Sequence, residues 1–311
     1  MKPLSEVAYR DLFRHWDRDA TVRRAPHRTL AMSDGNGYFF SADREPLVNE
    51  PEITKLGTNA IKALLVQRLY SYLRFTSFLE RRVVNPVVLA IADGELGFHL
   101  PRQMRTDADK IYTDEGWHAQ FSNDLAQQVE SVTQIAPLTP RVPEFYPQLC
   151  QIVQRCRHPA VAHLMFAIVS ETLISAILRD LPHDRNVVQA VRDEIGDHAR
   201  DELVHHQFFS DVLRHVWPQL SGSLRSEYGC VIPEMIRLFL RPDVETMGAA
   251  LAGLGIEEVM AGELLQKIHQ GAAAKSTCRN AARSTVGLFR EVGALSDSPI
   301  MESFARAELL E

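Results

Sequence analysis

One stretch of this chain limits its fold more than any other. From Val161 to Leu181 the sequence VAHLMFAIVSETLISAILRDL is apolar nearly all round a helix, and a helix with no polar face must be covered on every side. It approaches membrane-spanning length. Yet it contains His163 and Glu171 and ends on Arg179 and Asp180, which suits the centre of a water-soluble bundle better than a bilayer. Glu171 is the only Asp, Glu, Lys or Arg between Leu164 and Leu178. Unpaired in an apolar interior, its carboxylate would cost on the order of several kcal/mol or stay protonated. The segment therefore calls for helical neighbours, and Glu171 for a cation.

The neighbours follow from hydrophobic period. Ile61, Leu65, Leu69, Tyr72, Thr76 and Glu80 recur at steps of three and four after Gly57, predicting a helix to about Val84 that kinks or ends at Asn85-Pro86. A second helix is expected from about Asp107 to Ile135, followed by a helix-breaking run at Pro137, Pro140, Pro143 and Pro147 and a short helix to Arg157. The apolar helix then starts at Pro159, and a long one follows from about Asn186 to Val216. Residues 1–55 read as a short helix and an irregular arm. Helical patterns resume after Ser223, Asp243 and Ala272, with breaks expected at Pro233, Pro242 and Gly271. Strand alternation is not found.

Two of these helices carry Glu-x-x-His: Glu115-Gly-Trp-His118 and Glu202-Leu-Val-His205. An i, i+3 pair turns a carboxylate and an imidazole to the same side of a helix, although chance alone supplies such a pair in a chain of this composition. Context adds to it. His198 lies within about 60° of Glu202 and His205 around the helix axis, so three donors form one stripe. Glu80 shares the face of Leu69, Tyr72, Leu73 and Thr76, away from Arg68, Arg81 and Arg82. Four helices thus offer Glu80, then Glu115 with His118, then Glu171, then Glu202 with His205. This is the donor pattern of a dinuclear carboxylate site in a four-helix bundle, with His198 in addition.

The expected fold is all-α, a ferritin-like four-helix core with additional helices. We read it as one domain over residues 1–311, with metal-binding helices at 57–216 and accessory helices at 223–311. Carboxylates and imidazoles without Cys suit iron or manganese rather than structural zinc, so two Fe ions, with O2 as co-substrate, are the cofactor expectation. Glu194 continues the stripe one turn earlier and is expected outside the ligand set. His206, rotated about 100° from His205, is expected to be structural or solvent-facing.

A net charge of -6 and a pI near 6.1 leave no basic footprint for nucleic acid or a membrane surface. The N-terminal sequence has no apolar leader and is too acidic for a transit peptide, which points to the cytoplasm. Cys150, Cys156, Cys230 and Cys278 show no CxxC spacing and are expected to be reduced and structural.

The spacings resemble those of the para-aminobenzoate N-oxygenase-like di-iron enzymes, which convert arylamines to nitro compounds in antibiotic biosynthesis. The resemblance rests on Glu80, the Glu115xxHis118 pair, Glu171 and the run His198xxxGlu202xxHis205, whose additional histidine separates that family from most ferritin-like di-iron proteins. Trp16-Asp-Arg-Asp-Ala-Thr-Val-Arg23 is similar to the family's N-terminal signature. The resemblance implies a homodimer supplied by an external electron donor. It further implies a long-lived peroxo-di-iron(III) species that inserts oxygen into an amine nitrogen, giving a hydroxylamine, nitroso or nitro product.

The face leading to such a site is expected to include Tyr72, Phe75, Thr76, Ile168 and Ile177, a largely apolar set with two hydroxyls that suits an aromatic ring. Family members acting on aminobenzoate hold its carboxylate with polar or basic groups. Here no inward Arg is evident, although Arg74 neighbours the face, so a larger or less acidic arylamine is the expected substrate. The competing readings are a di-iron oxygenase acting on an aliphatic amine or a carbon centre, and a ferritin-like iron-oxidising protein.

Overall fold

The computed structural model describes residues 9–178 and 181–310, apart from the side chains of residues 175–177 and 272. Two one-turn helices, α1 (Trp16–Asp19) and α2 (Thr21–Arg24), open the N-terminal arm, which reaches the bundle through 3-10 turns and α3 (Pro51–Thr54). The long helix α4 (Thr58–Leu79) runs through a π turn (Glu80–Val84) into α5 (Asn85–Asp93). Next come α6 (Arg102–Thr133), α7 (Phe145–Arg155), α8 (Pro159–Leu178) and α9 (Gln189–Val216). The chain continues as α10 (Gly222–Phe239), α11 (Val244–Gly253), α12 (Glu258–Gln270), α13 (Ala272–Glu291) and α14 (Ser298–Arg306). Among the described residues there is no strand, and Tyr38 and Val187 form one isolated parallel bridge.

The bundle is made of α4, α6, α8 and α9: α4 packs on α6, α8 on α9, and α6 on α9. Helix α8 is the apolar one, and Leu164 through Val169 are all fully buried. Because it has no face for water, the sequence surrounds it: α9 lies on one side, while α7, α10 and α13 cover others. The accessory helices thus complete the burial of the central helix. Helices α11 and α12 instead pack Met247, Leu251, Leu264 and Leu265 on Leu47, Ile53 and Leu64, closing the outer side of α4. None of the described helices is long and apolar enough to cross a membrane. All four cysteines are free thiols.

Two prolines lie within helical runs. At Pro86 the chain neither ends nor stops bonding: it widens into the π turn, where the Asn85 N–H bonds to the Glu80 carbonyl, and stays helical until Gly94 closes it in the left-handed region (φ 73°). Pro233 was expected to break a helix, and α10 runs through it. Interior proline costs roughly 3 kcal/mol. Ile232, Met235 and Ile236, all fully buried, anchor α10 on either side of the defect, against α8 and α14. One turn earlier, Gly229 lets α14 come close, since a Cβ there would lie 2.3 Å from Ile300 Cδ1.

Candidate metal centre

Glu80 is the first residue of the π turn, so the extra residue that accommodates Asn85-Pro86 also sets the register of this carboxylate. It is 1% exposed and faces the bundle axis with Glu171 of α8, while α6 brings Glu115 and His118 and α9 brings His198, Glu202 and His205, the last five wholly buried. Their potential donor atoms converge in three overlapping groups. One is Glu80, His118, His198 and Glu202; another is Glu115, His118, Glu202 and His205; the third is Glu80, Glu115 and Glu171, each group with its atoms within 4.8 Å of one another.

Glu202 is the hub. Its Oε1 lies 3.1 Å from His198 Nε2, 3.4 Å from His118 Nδ1 and 3.5 Å from His205 Nδ1. Glu115 spans the other side, with Oε2 2.9 Å from His118 Nδ1 and Oε1 3.0 Å from His205 Nδ1. Even so, buried Glu80 Oε2, Glu115 Oε1, Glu171 Oε2, Glu202 Oε2 and His205 Nδ1 have no hydrogen-bond partner among the described residues. The Glu115–His205 contact is short without being aligned as a hydrogen bond. Lone pairs crowded together and aimed at a shared point, rather than at each other, fit cations held between them.

The electrostatics make the same demand. Burial, aided by the charges of Glu115, Glu171 and Glu202, drives the Glu80 carboxyl well above its ordinary range, and burial with Glu202 and Glu115 does the same to Glu171. Burial also works to raise Glu115 and Glu202, but imidazoles outweigh it, led by His205. They bring Glu115 down to about 2 and hold Glu202 well below its ordinary range. His118 and His205 are raised well above normal despite burial, because carboxylates surround them, whereas burial and the charge of His118 lower His198. Four carboxylates and three imidazoles without a cation thus settle into two acids and two ion pairs. Two divalent cations would balance all four carboxylates and leave three neutral nitrogen donors.

An outer ring orients the imidazoles. Asp201 lies 3.1 Å from His118 Nε2 and is held by the Thr21 backbone N–H (3.3 Å) and hydroxyl. Asp114 lies 3.3 Å from His205 Nε2 and accepts from Trp16 Nε1 at 2.9 Å. A carboxylate on Nε2 keeps the proton there and leaves the Nδ1 lone pair facing the centre. His198 is turned the other way: its Nε2 faces the centre and its Nδ1 meets the Tyr72 hydroxyl at 2.8 Å.

Asp114, Asp201 and Thr21 are not among the residues picked out from sequence. The signal was present: each Glu-x-x-His is preceded by aspartate, giving Asp-Glu-x-x-His twice. Trp16 and Thr21, for their part, both stand in the N-terminal segment read as a family signature. Glu194 is buried and pushed up to about 7 by burial and Asp197, and like His206 it stands outside the three converging groups.

Of the residues expected to line a substrate approach, Tyr72 directs its hydroxyl to His198, and Thr76 and Ile168 are fully buried. Phe75 packs between Phe145 (4.8 Å) and Phe239 (5.3 Å). The side chain of Ile177 lies outside the described residues. A cleft of about 50 Å³ lined by Phe75, Arg74, Phe145 and Pro143 has room for water but not for an aromatic ring. A family model described as P-aminobenzoate N-oxygenase AurF matches residues 3–293.

Proposed function

The chain belongs to the p-aminobenzoate N-oxygenase family, and from that premise we propose that it is a non-haem di-iron N-oxygenase acting on an aromatic amine. The observation that carries this reading is the buried convergence of Glu80, Glu115, His118, Glu171, His198, Glu202 and His205, with five donor atoms left unpartnered. In this reading those seven residues hold two iron ions. Bound iron supplies the electrons that reduce O2 and the route by which an oxygen atom reaches nitrogen. The first oxidation takes amine, O2, two electrons and two protons to hydroxylamine and water, and further rounds give nitroso and nitro products.

The chain's own contribution is geometric and electrostatic. Its aspartates hold the His118 and His205 protons on Nε2, its apolar helices exclude water, and its four carboxylates neutralise the cations. The Asp114 and Asp201 carboxylates and the Tyr72 hydroxyl thereby fix which nitrogen of each imidazole faces the metals. If the arylamine approaches past Phe75, that ring or its aromatic neighbours must move, because the cleft there is too small for a ring. In the same reading the enzyme works in the cytoplasm as a homodimer, takes its electrons from an external donor and serves antibiotic-type biosynthesis.

The test is to load the protein with ferrous iron under nitrogen, count the iron, admit O2 with an arylamine or an alkylamine, and identify products by mass spectrometry. Two irons per chain and oxygenated nitrogen only on the arylamine are expected. Oxygenation of the alkylamine or of carbon transfers the assignment to another di-iron oxygenase. Iron oxidation without an organic product leaves the ferritin-like reading.

A further inference from the structure

Two imidazoles of the centre are each held by an aspartate, and each aspartate by the N-terminal arm, but the two chains of contacts end differently. His118 leads to Asp201 and then to Thr21, which is fully buried. His205 leads to Asp114 and then to the Trp16 indole, at 3.3 and 2.9 Å. That indole is partly exposed, with the Arg23 guanidinium 4.3 Å from its ring centroid. Of these two chains, only the second joins the buried centre to the surface by consecutive hydrogen bonds.

Electron tunnelling falls steeply with distance, and it falls less through bonded and hydrogen-bonded atoms than across gaps. Resting on the reading of the site as a di-iron centre, we propose that Trp16, Asp114 and His205 form the path by which a one-electron donor protein reduces the metal pair. Each transfer oxidises the donor by one electron and takes one ferric ion to ferrous, so two transfers complete the pair. No bond forms or breaks along the path. The rival route starts at Trp117, which is partly exposed, and passes to Phe121 (6.3 Å between centroids) and on to His118 (5.5 Å). It crosses ring-to-ring gaps instead of hydrogen bonds.

The experiment mixes the di-ferric protein anaerobically with a reduced [2Fe–2S] ferredoxin and follows reduction by stopped-flow absorbance in wild type, W16F, T21V and W117F, each with its iron counted. T21V thins the outer ring on the other side and supplies the purely structural baseline. We expect W16F to keep its iron yet to be reduced at least about tenfold more slowly than T21V, the scale on which outer partners of a ligating histidine act. W117F should match wild type. Should W16F lose iron, Trp16→His replaces it, since an imidazole N–H can still reach Asp114 while the smaller ring leaves a through-space gap between the bonded path and the donor, and slowing is again expected. W16F or W16H reduced as fast as T21V, or W117F slower than either, overturns the path. Because the rate is read without amine, it stands apart from product analysis. A wild type that binds no iron would sink the di-iron reading itself.

Discussion

Helices α6 and α9 carry the same five-residue word, Asp114-Glu115-Gly-Trp-His118 and Asp201-Glu202-Leu-Val-His205, and they use it reciprocally. Each Glu and His faces the axis, while each Asp reaches across to the other helix's histidine: Asp114 to His205 and Asp201 to His118. The two helices part company two turns before those histidines, where α9 has His198 and α6 has Ile111, both fully buried. They part again at the outer end, where Asp114 meets Trp16 and Asp201 meets Thr21. The shared word builds a symmetric cage. The unshared positions make one side richer in nitrogen and connect one side to the surface.

The largest effect should come from the shared part. E115A and E202A each remove a carboxylate that touches imidazoles from both helices, and each should weaken iron binding by more than about a hundredfold, beyond the usual reach of an outer-partner mutation. Competition against a chelator, with iron counted, measures this. Near-equal losses support the symmetry, and a variant that keeps both irons breaks it.

A second comparison sets the hub of α9 against the lone carboxylate of α8 in iron-free protein. Glu202 Oε1 touches three imidazoles, so E202L strands cationic rings in a dry interior and should destabilise the fold by about 3–5 kcal/mol. Among imidazoles Glu171 comes near His205, at 3.9 Å, its other neighbours in the centre are carboxylates, and it has an unpartnered oxygen among the described residues. E171L should therefore leave stability within about 1 kcal/mol of wild type or raise it, since an unsatisfied buried polar group is replaced by an apolar one. Denaturant unfolding of the two variants checks the contrast, and equal losses would refute it.

That these seven side chains meet was legible in the sequence, because helical period and donor chemistry are local properties. Glu171 in particular announced itself by standing alone in an apolar helix. Asp114 and Asp201 were less legible. Their role depends on which helix faces which, and an aspartate next to a glutamate on a long helix reads locally as one more solvated charge. Recognising the repeated Asp-Glu-x-x-His as a unit would have exposed it. Pro233 escaped for the opposite reason: local stereochemistry argued for interruption, and burial of its neighbours overrode it, whereas the irregularity expected at Asn85-Pro86 is there as the π turn. Phe75 was expected to line a substrate approach because its period faces inward, and its ring lies between Phe145 and Phe239 beside the narrow cleft.

The outer ring allows a finer test of the symmetry. D114N and D201N each leave a single amide oxygen where a carboxylate served both a histidine and the arm. Each should weaken iron binding by roughly ten- to a hundredfold. Equal losses would mean that the two arms orient their imidazoles equally, whatever else the Trp16 side does. A loss confined to one variant would show that the reciprocal geometry is not matched by reciprocal energetics.

The smallest effect tests the feature that breaks the symmetry. Tyr72 is the partner of His198 Nδ1, so Y72F removes one hydrogen bond worth about 1 kcal/mol and should weaken iron binding by less than about tenfold. The ring keeps its neighbours, but nothing then holds the proton on Nδ1, and the Nε2 lone pair is no longer guaranteed to the centre. H198A removes the donor altogether and should exceed Y72F in the same chelator competition, while remaining milder than E202A because six other donors persist. If Y72F and H198A were indistinguishable from wild type, His198 would be a passenger beside the cage, and α9 would differ from α6 only at its outer end.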